Sequence, residues 1–454
     1  MGLRIFGPKR RAPPTHPEDE VVPVHVFDDL PDYRKTLMMW TFQFNDVLDP
    51  NRLNNSLHDL IAEEGRLTDH MLASQLPSLD VSCKSSTFLG PQAFVALGVP
   101  GDAPKTIEDY LNRDEPQIAV HVNVFADATL VSVQFLHTVT DALGFASLMK
   151  AWQAALAGKI GQVPRLEGLR DDPMAAFYTA KPTERHVLID KDLTGWRLLL
   201  FILRFVWNRL AQGDFETRTI RLSSKAVAAM RSIARSQLPD ADVEGSPVFI
   251  SDGDILTAWA GQLAAQTGRS GSVRPVTILI PADVRSRTRD VFPEGSVCVQ
   301  NAILVVYVPL AASHLRMAQL GKTALEVRRA ITRQTTRAQF DALARRALES
   351  MEASNHPPLM CDTGSGLVSV TNWSKAGFLD EIDFSPAVVT PGTNNRSGRV
   401  VYYHSHWSKD PFFTSPMFTI KGKDGEGNYW LTGHLPSAGW LSLEKQLENF
   451  EEKH

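Results

Sequence analysis

Two strand-like runs and a helix follow one another between residues 118 and 156, and that succession constrains the fold more than any other stretch. Ile118-Ala-Val-His-Val-Asn-Val-Phe125 and Thr129-Leu-Val-Ser-Val-Gln-Phe135 are rich in β-branched and aromatic residues. Ala126-Asp127-Ala128 between them is a turn short enough to make the pair a hairpin. Asp141 then stands where a helix N-cap is wanted, and a helix is predicted from about Asp141 to Leu156, with Gly158 near its end. A hairpin feeding straight into a helix calls for a sheet with helices layered on it.

The rest of the chain extends this pattern. Residues 1–30, rich in proline and charge, read as an arm leading into a first strand at Val21 to Phe27. Leu53, Leu57, Leu60 and Ile61 recur at helical spacing. Residues 164–213 are the predicted connection between two halves. The second half opens with a strand at Thr217 to Leu222 and a helix through Ala226 to Ile233. Ser251-Asp-Gly-Asp254 resembles an acidic capping box before Ile255 to Ala260. Val276 to Ile280 and Ala302 to Tyr307 are β-rich, and one long helical pattern covers Ala318 to Ser350. Met417 to Ile420 and Tyr429 to Thr432 flank a Gly-rich turn, Lys423 to Asn428, as a second hairpin. Strands and helices mix without strict alternation, which predicts α/β domains with mixed sheets and not a doubly wound fold. The expected division is an arm with the first strand at 1–30, a first domain with the crossover at 31–213, and a second domain at 214–454.

Composition removes several function classes. The 454 residues allow two or three domains at roughly 100–200 residues each. With 43% apolar and 22% charged residues, wholesale disorder is excluded. Forty-seven Lys and Arg against 51 Asp and Glu give a net charge of −4, without the basic surplus a nucleic-acid binder needs. Three cysteines, Cys83, Cys298 and Cys361, make neither a disulfide framework nor a structural zinc site. A reducing compartment and a cytoplasmic location are therefore expected. Met1-Gly2-Leu-Arg-Ile-Phe6 lacks the Ser or Thr of a myristoylation site, and no apolar run of secretory type follows the basic cluster. Gly195 to Arg209 is strongly apolar, but Arg197, Arg204 and Arg209 break it into runs of at most six residues. It is too interrupted to span a bilayer, and reads as a docked helix at a domain junction or an interfacial amphipathic segment with possible membrane contact.

The sharpest chemical signal is Leu136-His137-Thr-Val-Thr-Asp141-Ala-Leu-Gly144. A strand delivers His137 to its carboxyl end, where a neutral imidazole could take a proton from a substrate hydroxyl. Asp141 caps the following helix and, if buried, needs a cation or backbone N–H groups. By itself the pattern is weak and recurs by chance, and it reads more readily as a core histidine beside an ordinary cap.

Four further segments give it context, and with them the chain resembles the BAHD acyl-CoA-dependent acyltransferases over nearly its whole length, in their fungal-type specialised-metabolism branch. They are Leu53 to Gly65; Ser251 to Trp259; Pro281-Ala-Asp-Val-Arg-Ser-Arg287 followed by Gln300-Asn301-Ala302; and Val370-Thr371-Asn372-Trp373 with Phe378 to Phe384 after it. The resemblance implies two similar chloramphenicol-acetyltransferase-like α/β domains with a channel between them, and a mostly monomeric protein. His137 matches the catalytic base, and Asp141 a structural carboxylate paired with Arg285. Thr371, Asn372 and Trp373 match the lining near the thioester, while Ser223 and Lys225 are weaker candidates for coenzyme A phosphate contacts, equally readable as helix capping. No permanent cofactor is implied. Acyl-CoA would be a co-substrate and the acceptor a hydroxyl of a polyketide or terpenoid, the latter by analogy alone.

The chain departs from the family's Asp-Phe-Gly-Trp-Gly stretch at Asp383-Phe384-Ser385-Pro386-Ala387, where proline removes a backbone donor and fixes φ. That loop must run differently, and the change keeps open a cyclase or a non-catalytic binding protein on the same scaffold. His404-Ser-His406 lacks companions for a metal set and reads as an ordinary polar strand. Lys421 to Gly427 reads as a hairpin turn and not a phosphate loop, and no Gly-x-Ser-x-Gly elbow is present.

Overall fold

The computed structural model describes residues 22–60, 67–71, 84–90, 95–101, 103–113, 115–241, 245, 247–266, 275–315, 319–392, 396–407 and 415–452. Residues 1–21 of the arm expected at 1–30, and Cys83, lie outside the described residues.

Two mixed sheets carry the architecture. The first contains β1 (Leu37–Phe44), β3 (Leu67–Met71), β5 (Ile118–Val124), β6 (Thr129–Leu136) and β14 (Tyr402–Trp407), in the order β14-β1-β6-β5-β3. The second contains β4 (Ser86–Leu89), β8 (Phe215–Leu222), β9 (Val276–Asp283), β11 (Ile303–Leu310), β12 (Gly366–Asn372), β15 (Met417–Lys423) and β16 (Tyr429–Pro436), in the order β11-β9-β12-β15-β16-β8-β4. Short pairs join β2 (Val47–Leu48) to β13 (Val388–Thr390) and β7 (Arg165–Glu167) to β10 (Ser296–Cys298). Each sheet thus takes an edge strand from the other half of the chain: β14 crosses into the first and β4 into the second. That exchange ties the halves together through the β14–β1 and β4–β8 pairings.

The predicted hairpin of β5 and β6 pairs antiparallel throughout, and every residue of β6 is buried. Helix α5 (Ala142–Leu156) follows it, packing against α2 (Pro50–Leu60) over an aromatic core of Trp40, Phe42, Phe135, Phe145, Trp152 and Tyr403. In the second half, α9 (Asp252–Gln266) is buried on all sides between the sheet and α8 (Ser224–Ser236), α10 (Leu320–Gln334) and α12 (Ser437–Glu452). Its small and apolar residues allow that, and the expected box forms, with Ser251 N–H and Oγ both 2.7 Å from Asp254 Oδ2. The hairpin of β15 and β16 also forms as read.

Two expectations fail. Val22 to His25 forms no strand, because Pro23 has no N–H to offer a ladder. The chain instead turns, with the Asp28 and Asp29 N–H groups both donating to the His25 carbonyl (3.0 and 2.9 Å) before α1 (Pro31–Arg34). The single helix over Ala318 to Ser350 is two, α10 and α11 (Arg337–Ser354), because Thr336 caps the second by accepting from Gln339 N–H. Small helices α3 (Val95–Gly98) and α4 (Ile107–Asn112) bridge to β5, and α6 (Ala175–Tyr178) lies in the connection, where Met174 and Phe177 pack on Phe292, Phe340 and Leu343 of the second half.

The Arg-studded segment is helix α7 (Gly195–Gln212). It docks on the second half through Phe201. Among the described residues no helix is long and apolar enough to cross a membrane.

Candidate active site

His137 is the first residue beyond β6, and its peptide is gripped from both halves. Its N–H donates to the Thr36 carbonyl (2.9 Å), and its carbonyl accepts from Asn301 Nδ2 (2.9 Å). The Tyr33 ring stacks on the imidazole, nearly parallel, with centroids 4.0 Å apart. An imidazole stacked on one face in this way has a defined plane, which general-base chemistry requires.

Four residues on, Asp141 closes the loop. Its Oδ1 accepts from Leu143 and Gly144 N–H (3.0 and 2.9 Å), capping α5. Its Oδ2 accepts from Ala302 N–H (2.9 Å) and pairs with Arg285 Nη2 at 3.0 Å. The predicted pair is therefore present, with both partners largely buried. Burial by itself would raise the Asp141 carboxyl, but the Arg285 guanidinium and the backbone donors outweigh it and hold it below the usual carboxylate range. Arg285 is also bound by Asp283 (2.9 Å), the Cys298 carbonyl (2.9 Å) and the Gln300 carbonyl. Burial opposes its charge, and Asp141 and Asp283 more than restore it.

Gly144 is required here by space. A Cβ on it would sit 2.1 Å from the Val299 carbonyl oxygen, so any side chain would push the two halves apart. Thr140 Oγ1 donates to the same carbonyl (2.5 Å).

The imidazole stands at the wall of an open cavity of about 260 Å³ between the two sheets. Thr371, Asn372 and Trp373 line the same cavity, so the structure brings these expected residues to His137. Trp373 rests on Trp40 with centroids 4.4 Å apart. Thr371 lies opposite Thr419 across the parallel β12 and β15 strands. Met38, Phe135, Ile303, Trp407 and Met417 make much of the remaining wall apolar.

Ser223 and Lys225 do not reach this cavity. Ser223 is buried, caps α8 by accepting from Ala226 N–H, and donates to Glu451 (2.6 Å), while Lys225 bonds the Glu451 carbonyl. A phosphate at Ser223 would have to displace a carboxylate. The altered Asp383 to Ala387 segment also lies elsewhere, packed through Phe384 on Phe44 (5.3 Å, near-parallel), with Pro386 in a 3-10 turn. His404 is buried beside Lys421; burial first, then that cation, pushes its imidazole down to about 3. Among the described residues no group of three or more His, Cys, Asp or Glu could hold a metal. Cys298 and Cys361 are buried, and burial raises both thiols.

Sequence reasoning missed three residues. Tyr33 sits on a four-residue helix with no periodic signature. Asp28, 4% exposed, accepts from Asn301 N–H and Nδ2 (both 2.8 Å) and so steadies the amide that holds His137. Thr419 is fully buried at the cavity wall, and its hydroxyl has no partner among the described residues.

The chain is similar in sequence and in fold to known proteins. The family model described as the Transferase family matches residues 208–410. The chain is 30% identical to the O-acetyltransferase PaAT-2 of Phomopsis amygdali, over 96% of this chain and 99% of that one. It is also 30% identical to a protein of Penicillium decumbens named transcriptional regulator calD, over 96% and 97%. Its fold matches that of F. graminearum TRI101, solved with coenzyme A and T-2 mycotoxin. The TM-score is 0.65 at 13% identity, over 93% of this chain and 96% of that one.

Proposed function

The chain belongs to the BAHD acyltransferases of the Transferase family, acyl-CoA-dependent enzymes of two chloramphenicol-acetyltransferase-like domains, and from that membership we propose that it acylates a hydroxyl of a specialised metabolite with His137 as general base. The observation that carries the reading is His137, its peptide held by both halves of the chain and its imidazole stacked on Tyr33 at the wall of the cavity that Thr371, Asn372 and Trp373 also line. His137 takes the acceptor's hydroxyl proton as that oxygen bonds the thioester carbon. The carbonyl becomes an oxyanion, to which we assign the Thr371 and Thr419 hydroxyls as donors. Collapse breaks the C–S bond, and the departing thiolate receives the proton from the imidazolium. A positioned base contributes typically about 10²–10⁴-fold, and one oxyanion donor about 10²–10³-fold.

The apolar walls favour an acceptor of polyketide or terpenoid type, and the name of PaAT-2 supports transfer of acetyl to oxygen. The name of calD points to a regulator, but a chain of net charge −4 lacks the cationic surplus that duplex DNA binding uses. Incubation with acetyl-CoA and a panel of apolar polyketide and terpenoid alcohols tests the reading. Mass spectrometry should find an alcohol gaining one acetyl group as free thiol appears. Calorimetry that detects no coenzyme A binding would contradict it.

A further inference from the structure

Helix α7 leaves its most apolar side in water. Phe201, Leu198 and Phe205 face inward, against Leu193, Cys361 and Leu367. On the opposite side Trp196, Leu199, Leu203, Trp207 and Leu210 recur at spacings of three and four residues and form a single stripe. Both tryptophans are 72% exposed, and the three leucines 59–66%. Singly exposed apolar residues are ordinary, but a contiguous stripe with two indoles marks an interaction surface.

Charge decides what covers it. The helix contains Arg197, Arg204 and Arg209 and no Asp or Glu. At 3.6 residues per turn, Arg197 and Arg204 flank the stripe on one side and Arg209 on the other. Each guanidinium donates one bond to a neutral group of the protein, the Asp190 carbonyl, the Thr363 hydroxyl and the Gly213 carbonyl respectively, and keeps its charge and further N–H donors. The acidic residues nearby are spoken for or lie beyond the helix: Asp190 pairs with Arg185 (3.0 Å), Asp362 with Lys191 (2.7 Å), and Asp214 follows the C-terminus. A second copy docking by two-fold symmetry would bring two all-cationic rims together with no carboxylate from either helix. An anionic headgroup layer complements both features: arginine stems cover apolar surface while their heads reach phosphates, and indoles favour the boundary of water and acyl chain.

We propose that α7 anchors the protein to anionic phospholipid membranes, lying flat in the interface with its outward stripe among the acyl chains and its arginines at the headgroups. The consequence for the cavity is short-range. Leu367, near the start of β12, packs beneath α7, and Thr371, four residues further along the same strand, lines the cavity, a distance of about 13 Å at about 3.3 Å per residue. A bilayer-dissolved acceptor would be concentrated on the side of the protein where β12 runs from beneath α7 to the cavity wall at Thr371. The anchor itself does not depend on the acyl-transfer reading.

Flotation of the full chain with extruded vesicles tests the proposal. The protein should float with vesicles containing phosphatidylserine and less with phosphatidylcholine alone. Leu203→Asp combined with Trp207→Asp should abolish flotation while leaving the melting temperature and acetyl-CoA turnover unchanged. Arg204→Gln should lower the partition constant about five-fold. The proposal is overturned if the wild-type chain stays unbound with phosphatidylserine vesicles, or if binding survives the double variant. It is equally overturned if the wild type is a dimer that the double variant makes monomeric, because a second copy then covers the stripe.

Discussion

Two buried carboxylates steady the His137 loop, Asp141 from the helix behind it and Asp28 from the turn before β1, and burial acts on them in opposite directions. Asp141 has a guanidinium at 3.0 Å and three backbone donors, so its charged form is favoured despite desolvation. Asp28 has amide donors from Asn301, and there desolvation wins: its carboxyl is raised above the ordinary value. At Asp141 a guanidinium and three backbone donors together offset burial, whereas at Asp28 the amide donors do not. The first group locks the loop to the second half of the chain, and the second shapes the turn that delivers Asn301's grip.

Removing the cation should erase this difference, and it is the largest effect expected. Arg285→Ala leaves Asp141 and Asp283 without their partner and should cost about 3–5 kcal/mol, read by denaturant unfolding, with a matching fall in kcat. Asp141→Asn keeps an acceptor for the Leu143 and Gly144 N–H groups but loses the ion pair. It should cost about 1.5–3 kcal/mol and lower the rate as well, and an unchanged melting temperature beside a lost rate would contradict the locking role. Asp28→Asn preserves an acceptor for Asn301 and removes a charge that burial disfavours, so its cost should stay under about 1 kcal/mol. A loss as large as that of Asp141→Asn would mean that Asp28 has charged partners the structure does not account for.

The pH profiles should separate the two by sign. The folded pKa of Asp141 is depressed, so its stabilisation is complete above the unfolded value of about 3.9 and is lost as pH falls through the folded value. The folded pKa of Asp28 is raised, so its destabilisation develops as pH rises from about 3.9 to the folded value and then levels. Unfolding curves of each Asn variant against the wild type across the acid range should therefore diverge in opposite directions. Parallel curves would remove the distinction.

What the sequence disclosed is local. The hairpin before His137, the Asp141 cap, the Ser251–Asp254 box and the hairpin of β15 and β16 all rest on neighbours in the chain, whose chemistry acts at short separation. The pairing of Asp141 with Arg285 spans 144 residues and was legible through family resemblance. Tyr33, Asp28 and Thr419 were not, since each acts across a contact that neither periodicity nor a motif announces. The exchange of β14 and β4 between sheets escaped for the same reason. The two failed expectations came from residues that compete with regular structure, Pro23 by lacking a donor and Thr336 by capping a new helix inside an apolar pattern. The exposed face of α7 shows the converse limit: composition revealed an apolar helix, but which side faces water is fixed by tertiary packing.

The most direct test of the catalytic assignment is His137→Ala, measured as thiol release from acetyl-CoA with the accepted alcohol, beside calorimetry of coenzyme A binding. A base held by Thr36, Asn301 and Tyr33 predicts a fall in kcat of about 10²–10⁴-fold with coenzyme A affinity and melting temperature unchanged. A variant that turns over at the wild-type rate would contradict the account.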